Sequence, residues 1–398
     1  MQNSFKTLLM ASCLSLALAA CNTGETVSTP GSSAQQTLPK MTDAASYGKA
    51  AAEWQLSTIN DLSYLPNKIP QSSYNRGWVK GAFYIGLEKF AQKTGNQEYL
   101  DLLRNESYEN GFELGERYWH GDDQIFGTIY AGVIERDASV PVEQLRPTLE
   151  KMDHILEDRS TVSLEFVEPK PGEPGAEGTC QTRWCWADAI FMAPPAWSAA
   201  SNVTGDEKYR QYAVEETDAT IEFLYDPETH LFFRDSRYFT LKTENDRGVF
   251  WSRGNGWVYA GLARFMETLP ANHEARARYE ALFVEMTDAL ISRQREDGYW
   301  PTSLDDAALF KNPETSGTAF FGFGLAWGIN QGLLTDDKYI DARDKAWAAM
   351  KDAVQPNGMV GWVQQIGKDP QLTIKDSSQL YGVGGFLLMA SEMIEAGE

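Results

Sequence analysis

The 398-residue sequence is poor in cysteine and in positive charge. It contains four Cys, and 35 Lys and Arg stand against 56 Asp and Glu, which gives a formal net charge of −21. Four cysteines are too few for a disulfide-rich scaffold. Such a negative chain is also a poor electrostatic ligand for nucleic acid or for an anionic membrane face. We therefore expect no nucleic-acid partner.

Histidine is scarce, and several catalytic motifs are absent. The four histidines show no HExxH pattern and no paired metal spacing, and a metal site needs clustered donors. We predict no metal and no cofactor, and we expect each histidine to be a surface or loop residue rather than a catalyst. The sequence also lacks a GxSxG elbow, a P-loop and a GxGxxG after a strand, which disfavours nucleophile-elbow hydrolases, NTPases and dinucleotide enzymes.

The only long apolar run stands at the N-terminus. It extends from Leu8 to Ala20, follows a single Lys6 and is too short to span a bilayer comfortably. Its end, Leu-Ala-Ala before Cys21, is typical of a bacterial lipobox. We predict that residues 1–20 are a lipoprotein signal peptide and that 21–42 are a lipidated Cys21 with a flexible tether. The alternative is ordinary secretory cleavage with a chance cysteine.

This lipoprotein prediction has consequences for location and for the other cysteines. The protein would lie in the cell envelope, attached to the membrane through its lipid alone, and Asn22 after the acylated Cys21 favours the outer membrane. Removal of the signal peptide leaves two further cysteines, Cys180 and Cys185. They are either a local disulfide, as an oxidising compartment allows, or two buried thiols. Their spacing argues against a CxxC redox site.

The body of the chain has helical periodicity. In 257–269 apolar residues recur along one helix face before Pro270, and the same spacing runs from Val79 to Phe90 ahead of Gly95. Alternating strand patterns are rare, and Leu231–Asp235 is the best candidate. These patterns predict an all-α fold.

A degenerate repeat links pairs of these helices. Each copy is a polar turn followed by a Tyr that opens the next helix, and the copies are 94–99, 204–209 and 335–339. Such turns are typical of stacked helical hairpins, in an open solenoid or a closed toroid. Irregular spacing and aromatic-rich loops favour a toroid with a site at its mouth. We predict one domain over 43–396.

Two groups of acidic residues are candidates for a catalytic role. Asp188 lies among Trp, Ile, Phe and Met, where burial would raise its pKa and suit it to donate a proton near neutral pH. Alternatively it caps a helix or pairs with Arg183. Asp122 and Asp123 precede an apolar run, a position that usually indicates helix capping.

Two polar loops also precede apolar helices. Arg253 stands between Trp251 and Trp257; an arginine can grip a carboxylate and a tryptophan can stack on a sugar. The segment 314–318 could equally be helix-capping chemistry.

Five segments, taken in order, make the sequence similar to glycoside hydrolase family 105, the unsaturated rhamnogalacturonyl hydrolases. They extend over most of the chain, from about Tyr74 to Met393. The most specific are Trp-Ala-Asp-Ala-Ile-Phe-Met-Ala-Pro-Pro at 186–195 and Trp-Ser-Arg-Gly-Asn-Gly-Trp at 251–257; the others are 122–127, 314–319 and 381–386. The resemblance implies an (α/α)6 barrel, which agrees with the helical-hairpin prediction.

The resemblance also implies a reaction. Enzymes of this family remove the 4,5-unsaturated uronic acid that a polysaccharide lyase leaves at the non-reducing end of an oligosaccharide, here of rhamnogalacturonan or ulvan type. An Asp protonates C4 of the vinyl ether, water adds at C5, and the hemiketal opens. By motif position Asp188 is the proton donor, Asp122 the second Asp with Asp123 as an adjacent alternative, and Trp251 and Arg253 are substrate contacts. No metal or organic cofactor is implied.

Three further residues are substrate-binding candidates, namely Trp186, Arg234 and Trp78. Arg234 and Arg183 stand where some relatives have His, and the added positive charge suits a sulfated or second anionic sugar. Two other functions stay open: a surface glycan-binding lipoprotein, and a toroid-fold glycosidase or lyase that acts on saturated uronate polymer. The sequence does not predict the oligomeric state.

Overall fold

A computed structural model describes residues 41–65, 75–117, 119–167 and 179–394. All of them belong to one compact unit, 37–398. The predicted signal peptide and Cys21 lie outside the described residues. Within the described ranges the helices are α1 (Ala44–Ser57), α2 (Trp78–Thr94), α3 (Gln97–Glu109), α4 (Phe126–Arg136), α5 (Arg146–Glu157), α6 (Ala189–Met192), α7 (Pro194–Thr204), α8 (Glu207–Leu224), α9 (Ser252–Thr268), α10 (Arg276–Ile291), α11 (Thr315–Asn330), α12 (Asp337–Ala353) and α13 (Leu380–Met393).

Six of these helices form a closed inner ring. In order around the ring they are α2, α4, α7, α9, α11 and α13; each contacts the next, and α13 packs back against α2. Outer helices cover the ring, with α3 against α2 and α4, α8 against α7, α10 against α9, α12 against α11 and α1 against α13. The chain is therefore the predicted (α/α)6 barrel, and the closed toroid is confirmed over the open solenoid.

Burial separates the two layers. Every residue of α9 from Ser252 to Met266 and of α11 from Thr315 to Gly328 is buried, whereas the outer α8 and α12 each bury one face. A helix that is buried all round belongs inside a core. The ring closes at a glycine seam: a Cβ on Gly86 would lie 2.1 Å from the carbonyl oxygen of Gly384, and a Cβ on Gly384 would lie 2.2 Å from that of Ala82. Only glycine allows α2 and α13 to approach so closely.

The repeated turns join inner helices to outer ones, as the helical-hairpin prediction requires. In each copy an Asn or Asp side chain accepts a hydrogen bond from a backbone N–H in the first turn of the outer helix, and the following Tyr is buried beneath it. The pairs are Asn96 with Tyr99, Asp206 with Tyr209, and Asp336 with Tyr339.

Two element boundaries differ from the sequence prediction. Helix α9 ends at Thr268, before Pro270 as expected, but it begins at Ser252, because burial in the ring overrides the low helix propensity of Gly254 and Gly256. The predicted strand shortens to β2 (Leu231–Phe232), which pairs antiparallel with β1 (Tyr225–Asp226). The chain then leaves the strand and turns towards the site. Among the described residues, none of the helices combines the length and the apolar composition that a membrane span requires.

Candidate active site

The N-terminal ends of three inner helices, α2, α4 and α9, and of the short helix α6 that precedes α7 converge on one cavity. Trp78 is the first residue of α2, Asp122 lies in a 3₁₀ turn just before α4, Asp188 directly precedes α6, and Arg253 is the second residue of α9. The cavity is lined by Trp78, Arg117, Asp122, Trp186, Asp188, Met192, Arg234, Trp251, Arg253, Trp257, Ile366 and Gly367. All seven residues that the sequence analysis predicted for catalysis or substrate binding thus line the same cavity.

Asp188 is held close to one cation. Its side chain is 13% exposed, and its Oδ2 lies 3.2 Å from Nε of Arg234, although the two atoms do not have hydrogen-bond geometry. The two alternatives predicted for Asp188, pairing with Arg183 and capping of a helix, are both wrong. Arg183 donates instead to Glu216, at 3.0 Å from Nε to Oε2, and Asp188 occupies the N-cap position of α6 without accepting a capping hydrogen bond. Asp188 is thus not engaged as a helix cap.

Burial raises the pKa of the Asp188 carboxyl, and the negative charge of Asp122 raises it further. The guanidinium groups of Arg234 and Arg253 act in the opposite direction but do not cancel the effect of burial. Asp188 therefore retains its proton to a higher pH than an ordinary aspartate does, which is the property a general acid needs near neutral pH.

Arg234 is fixed on three sides. Its guanidinium carbon lies 3.7 Å from the centre of the Trp186 ring, and its Nη1 donates to Oδ2 of Asp235 at 2.7 Å. Its backbone carbonyl accepts a hydrogen bond from the N–H of Ala187 at 2.9 Å. The loop after β2 and the segment that carries Asp188 are therefore tied together by backbone as well as by charge.

The adjacent acids Asp122 and Asp123 face different ways. Asp122 lines the cavity, and its Oδ2 accepts a hydrogen bond from Nη2 of Arg117 at 3.2 Å. Asp123 turns away and accepts from the backbone N–H of Arg117 at 2.6 Å and from its Nε at 2.9 Å. Neither caps α4, so the capping alternative is wrong; the cap of their 3₁₀ turn is the side chain of His120. Of the two acids, Asp122 is the one available to a substrate.

His120 lies in a loop, as expected, but it is buried. Its Nδ1 accepts a hydrogen bond from the backbone N–H of Asp122 at 3.2 Å, and its ring stands edge-on to Trp186 with centroids 5.1 Å apart. Burial lowers the pKa of this histidine. It is therefore neutral at physiological pH and braces the turn that carries Asp122.

Arg253 is a buried cation with no carboxylate partner among the described residues. Its guanidinium stacks on Trp251 at 4.4 Å and on Tyr381 at 4.8 Å. Two of its donors are used by backbone: Nη1 donates to the carbonyl of Gln364 at 2.8 Å and Nη2 to that of Gln365 at 2.9 Å. Nε has no hydrogen-bond partner in the described parts of the chain. A buried guanidinium that forms no direct ion pair with a carboxylate suits an incoming carboxylate.

The segment 364–367, between α12 and α13, is a part of the site that the sequence analysis missed. Gln364 accepts a hydrogen bond from Nε1 of Trp251 at 2.9 Å, and its carbonyl also accepts from the hydroxyl of Tyr381 at 2.6 Å. Arg117 was missed as well. Gln364 and Gln365 hold Arg253 through their backbone carbonyls, which every residue has. No side-chain motif could therefore have revealed this part of the site.

The predicted polar loop at 314–318 does cap a helix. Glu314 accepts hydrogen bonds from the backbone N–H groups of Ser316 and Gly317 at the start of α11. The hydroxyl of Ser316 in turn lies 3.4 Å from Nη1 of Arg253. This loop therefore helps to hold the guanidinium of Arg253 in place.

Cys180 and Cys185 are joined by a disulfide, with their Cα atoms 5.6 Å apart. Both are buried, in a small apolar cluster that also contains Phe166 and Trp186. The closed turn ends one residue before Trp186 and three before Asp188. Within the described ranges, no group of three or more His, Cys, Asp or Glu side chains is placed to hold a metal ion.

Comparison with known proteins agrees with this architecture. The family model described as Glycosyl Hydrolase Family 88 matches residues 47–396. The unsaturated 3S-rhamnoglycuronyl hydrolase of Alteromonas sp. (strain LOR) is 40% identical over 406 residues, which cover 98% of this chain and 98% of that protein. A protein of the same name from Formosa agariphila is 37% identical over 328 residues, covering 81% and 85%. The resemblance to an unsaturated-uronyl hydrolase family is confirmed.

A solved structure extends the comparison. A protein named polysaccharide lyase superimposes with a TM-score of 0.73 at 27% identity, covering 88% of this chain and 96% of that one. The barrel is thus shared with a protein named for a different reaction on polysaccharides. The fold alone therefore does not distinguish hydrolysis from elimination, and the residues of the site have to be considered.

Proposed function

Because this chain belongs to Glycosyl Hydrolase Family 88, we propose that it removes the 4,5-unsaturated uronic acid from the non-reducing end of rhamnoglycuronyl oligosaccharides. The names of the Alteromonas and Formosa relatives support this substrate class. One observation of the site carries the proposal: Asp188 is a buried carboxyl with a raised pKa, and it lies in the same cavity as Arg253, a cation without a carboxylate partner.

Asp188 supplies the proton that starts the reaction. It transfers this proton to C4 of the vinyl ether, and positive charge develops at C5 and the ring oxygen. Water then adds at C5 and gives up a proton to the Asp188 carboxylate. The C5 hemiketal opens at its bond to the ring oxygen, and the hemiacetal that is left at C1 then breaks its bond to the aglycone. Asp188 keeps the proton that it took from water and is ready for the next substrate. Arg234, 3.2 Å away, stabilises the carboxylate during the interval in which it carries a charge.

Arg253 and the aromatic rings around it bind the sugar. The uronate carboxylate pairs with the guanidinium of Arg253, which otherwise holds only backbone carbonyls and a hydroxyl. Trp78 and Trp257 line the same cavity and offer apolar surface to the sugar ring. Asp122 lines the same cavity, adds to the effect of burial in raising the pKa of Asp188, and can accept a hydrogen bond from a sugar hydroxyl or the attacking water.

The local charges account for how so acidic a chain binds an anion. The charged side chains among the described residues that line the cavity are three arginines, Arg117, Arg234 and Arg253, and two aspartates, Asp122 and Asp188. With Asp188 protonated, the lining side chains alone carry two positive charges in a chain whose net charge is −21, while Asp123 and Asp235 pair with Arg117 and Arg234 from outside the cavity. Positive groups inside a cleft focus the field on the substrate even when the whole molecule is negative.

A polysaccharide lyase is the second candidate, because a protein of that name shares the barrel. A lyase would create the C4=C5 double bond by removing the C5 proton, which needs a base. The titratable groups that line the cavity among the described residues are arginines and aspartates, and Asp188 is held towards its protonated form. Asp122, the other carboxylate, is paired with Nη2 of Arg117 at 3.2 Å, whereas a group that retains its proton, as Asp188 does, is suited to giving it to the double bond rather than to removing one. Hydrolysis is therefore the better fit.

The two reactions change ultraviolet absorbance in opposite directions. We would incubate the enzyme with lyase-generated oligosaccharides from ulvan and from rhamnogalacturonan, and separately with the intact polymers. A hydrolase removes the absorbance of the conjugated uronate from the oligosaccharides, whereas a lyase creates it from the polymer. Binding without either change would support a glycan-binding protein instead.

The envelope location and the partnership with a lyase rest on the sequence. Cys21 lies outside the described residues, and we propose that it carries the lipid that anchors the protein, downstream of a lyase in the same envelope. Labelling of cells with an alkyne fatty acid is expected to mark the wild type and not Cys21→Ala. Labelling that persists in the variant would contradict the anchor.

A further inference from the structure

The carboxylate of Asp235 is fully buried between two arginines. Its Oδ2 accepts from Nη1 of Arg234 at 2.7 Å and from Nη2 of Arg237 at 2.8 Å, and its Oδ1 accepts from Nε of Arg237 at 2.8 Å. Arg234 also lies 3.2 Å from Asp188. Four groups of alternating sign therefore stand in a row, Asp188, Arg234, Asp235 and Arg237, which we call the charge row.

The charge row is held rigidly by stacking and by backbone. Arg234 lies over Trp186 at 3.7 Å, and Arg237 lies over Phe166 at 3.5 Å. Asp235 caps the 3₁₀ turn 236–238 through a hydrogen bond from the backbone N–H of Arg237. Neither Asp235 nor Arg237 lines the cavity, so neither has a part in the chemistry proposed above.

We propose that Asp235 and Arg237 are positioning residues that set how strongly the charge of Arg234 acts on Asp188, and so set the pH at which Asp188 gives up its proton. For catalysis this rests on the proposed function, because Asp188 matters there as the acid. The electrostatic part concerns the charge row itself and can be measured without substrate.

Other charges also face Asp188 and remain in place when the far end of the charge row is changed. Asp122 faces it from the turn before α4, with Arg117 and the neutral His120 behind, and Arg253 faces it from α9. On the far side of the row, Tyr238 donates to Asp369 at 3.4 Å. Asp235 and Arg237, the far end of the charge row, are therefore the part of this field that can be altered without changing a residue that lines the cavity.

The two residues should act in opposite directions. Asp235 partly neutralises Arg234, so removing the negative charge of Asp235 leaves a stronger cation beside Asp188 and lowers the pKa of Asp188. Arg237 partly neutralises Asp235, so removing the positive charge of Arg237 strengthens the hold of Asp235 on Arg234 and raises the pKa of Asp188. A merely structural role predicts no such reversal of sign.

The experiment compares Asp235→Asn and Arg237→Gln. The alkaline limb of the pH profile of kcat/KM should move to lower pH in the first and to higher pH in the second, each by about half a pH unit or more. Matched controls come from the Arg278–Asp218 pair, a bidentate pair at the outer surface with distances of 3.1 and 2.6 Å. Asp218→Asn and Arg278→Gln should leave the limb where it is.

A shift of both variants in the same direction, or lower activity with an unmoved limb, would overturn the proposal. Should Asp235→Asn not fold, Arg237→Gln decides alone by its shift to higher pH. A ¹³C titration of the Asp188 carboxyl, assigned with Asp188→Asn, measures the same shifts without substrate. If the wild type does not act on unsaturated oligosaccharides, the proposed function is wrong, while this titration still tests the charge row.

Discussion

Arg234 places its Nε 3.2 Å from Oδ2 of Asp188 without the geometry of a hydrogen bond. The attraction between the two side chains is therefore Coulombic and weakly directional. It does not require either carboxyl oxygen of Asp188 to accept a hydrogen bond from Arg234. Asp188 can carry its proton towards the cavity and, once deprotonated, still has a cation beside it. Such an arrangement serves a group that must be acid in one step and carboxylate in the next.

Removing the charge of Asp122 should make Asp188 more acidic. The negative charge of Asp122 raises the pKa of Asp188, so Asp122→Asn should lower that pKa and shift the alkaline limb of kcat/KM to lower pH. The maximal kcat should also fall, by about tenfold or more, because Asp122 faces the substrate. A pH profile of steady-state rates measures both effects, and an unmoved limb would count against the electrostatic coupling of the two acids.

Asp123 offers the matched control, because it is the next residue and binds the same arginine from outside the cavity. Asp123→Asn removes the charge and one of the two carboxylate oxygens that accept hydrogen bonds from Arg117, so it should lower the free energy of unfolding by about 1–3 kcal/mol. The alkaline limb should move less than in Asp122→Asn. A larger movement in the Asp123 variant would reverse the assignment of the two acids.

Arg253→Lys should weaken substrate binding. A lysine keeps the charge, but its single nitrogen cannot replace the planar fork in which Nη1 and Nη2 reach the separate carbonyls of Gln364 and Gln365 while Nε stays unused. We expect KM to rise by about tenfold, which corresponds to about 1.4 kcal/mol. Arg264→Lys is the control: Arg264 is buried further along α9 and contacts Phe191, so its replacement should lower the melting temperature and leave KM unchanged.

The Cys180–Cys185 disulfide should stabilise the turn before Asp188. For so short a loop, cross-linking contributes about 2 kcal/mol, so reduction or Cys180→Ser should lower the melting temperature. Because the turn packs against Trp186, kcat should fall as well. Peptide mapping under non-reducing conditions checks the bond itself, and two alkylatable thiols in the oxidised protein would contradict it.

The glycine seam gives a prediction about the barrel. A Cβ on Gly384 would lie 2.2 Å from the backbone carbonyl of Ala82, and backbone cannot rotate away, so Gly384→Ala should cost about 3 kcal/mol or prevent folding. Gly95→Ala is the comparison, since Gly95 has a φ of +67° but nothing within 4 Å of an added Cβ. It should cost about 1 kcal/mol. Equal costs in urea unfolding would mean that the seam is not closely packed.

The sequence predicted the local parts of the fold better than the long-range ones. Polar turns such as that at Asn96 indicate a helix start, because their side chains can cap the helix. Apolar periodicity indicates the buried helix faces, so the helical hairpins could be predicted from the sequence. The contact of Gly86 with Gly384 joins residues nearly 300 positions apart and leaves no periodic signal. The resemblance to a known family, rather than the residue pattern, supplied the barrel.

The site shows the same limit. Residue chemistry identified Asp188 as a carboxyl in apolar company, but sequence proximity suggested Arg183 as its partner. The folded chain instead brings Arg234 from the loop after β2, while Glu216 on α8 pairs with Arg183. Ion pairs between loops depend on the arrangement of the helices, so they become visible only once the ring is assembled.

The role of Asp188 is the centre of this account, and Asp188→Asn tests it most directly. The variant should keep the melting temperature of a folded barrel and still bind unsaturated oligosaccharides, because Arg253 and the tryptophans are untouched. Its rate of absorbance loss on a lyase digest should fall by about a thousandfold or more, the range typical of a general acid. A folded Asp188→Asn variant that erases the absorbance at the wild-type rate would contradict the account.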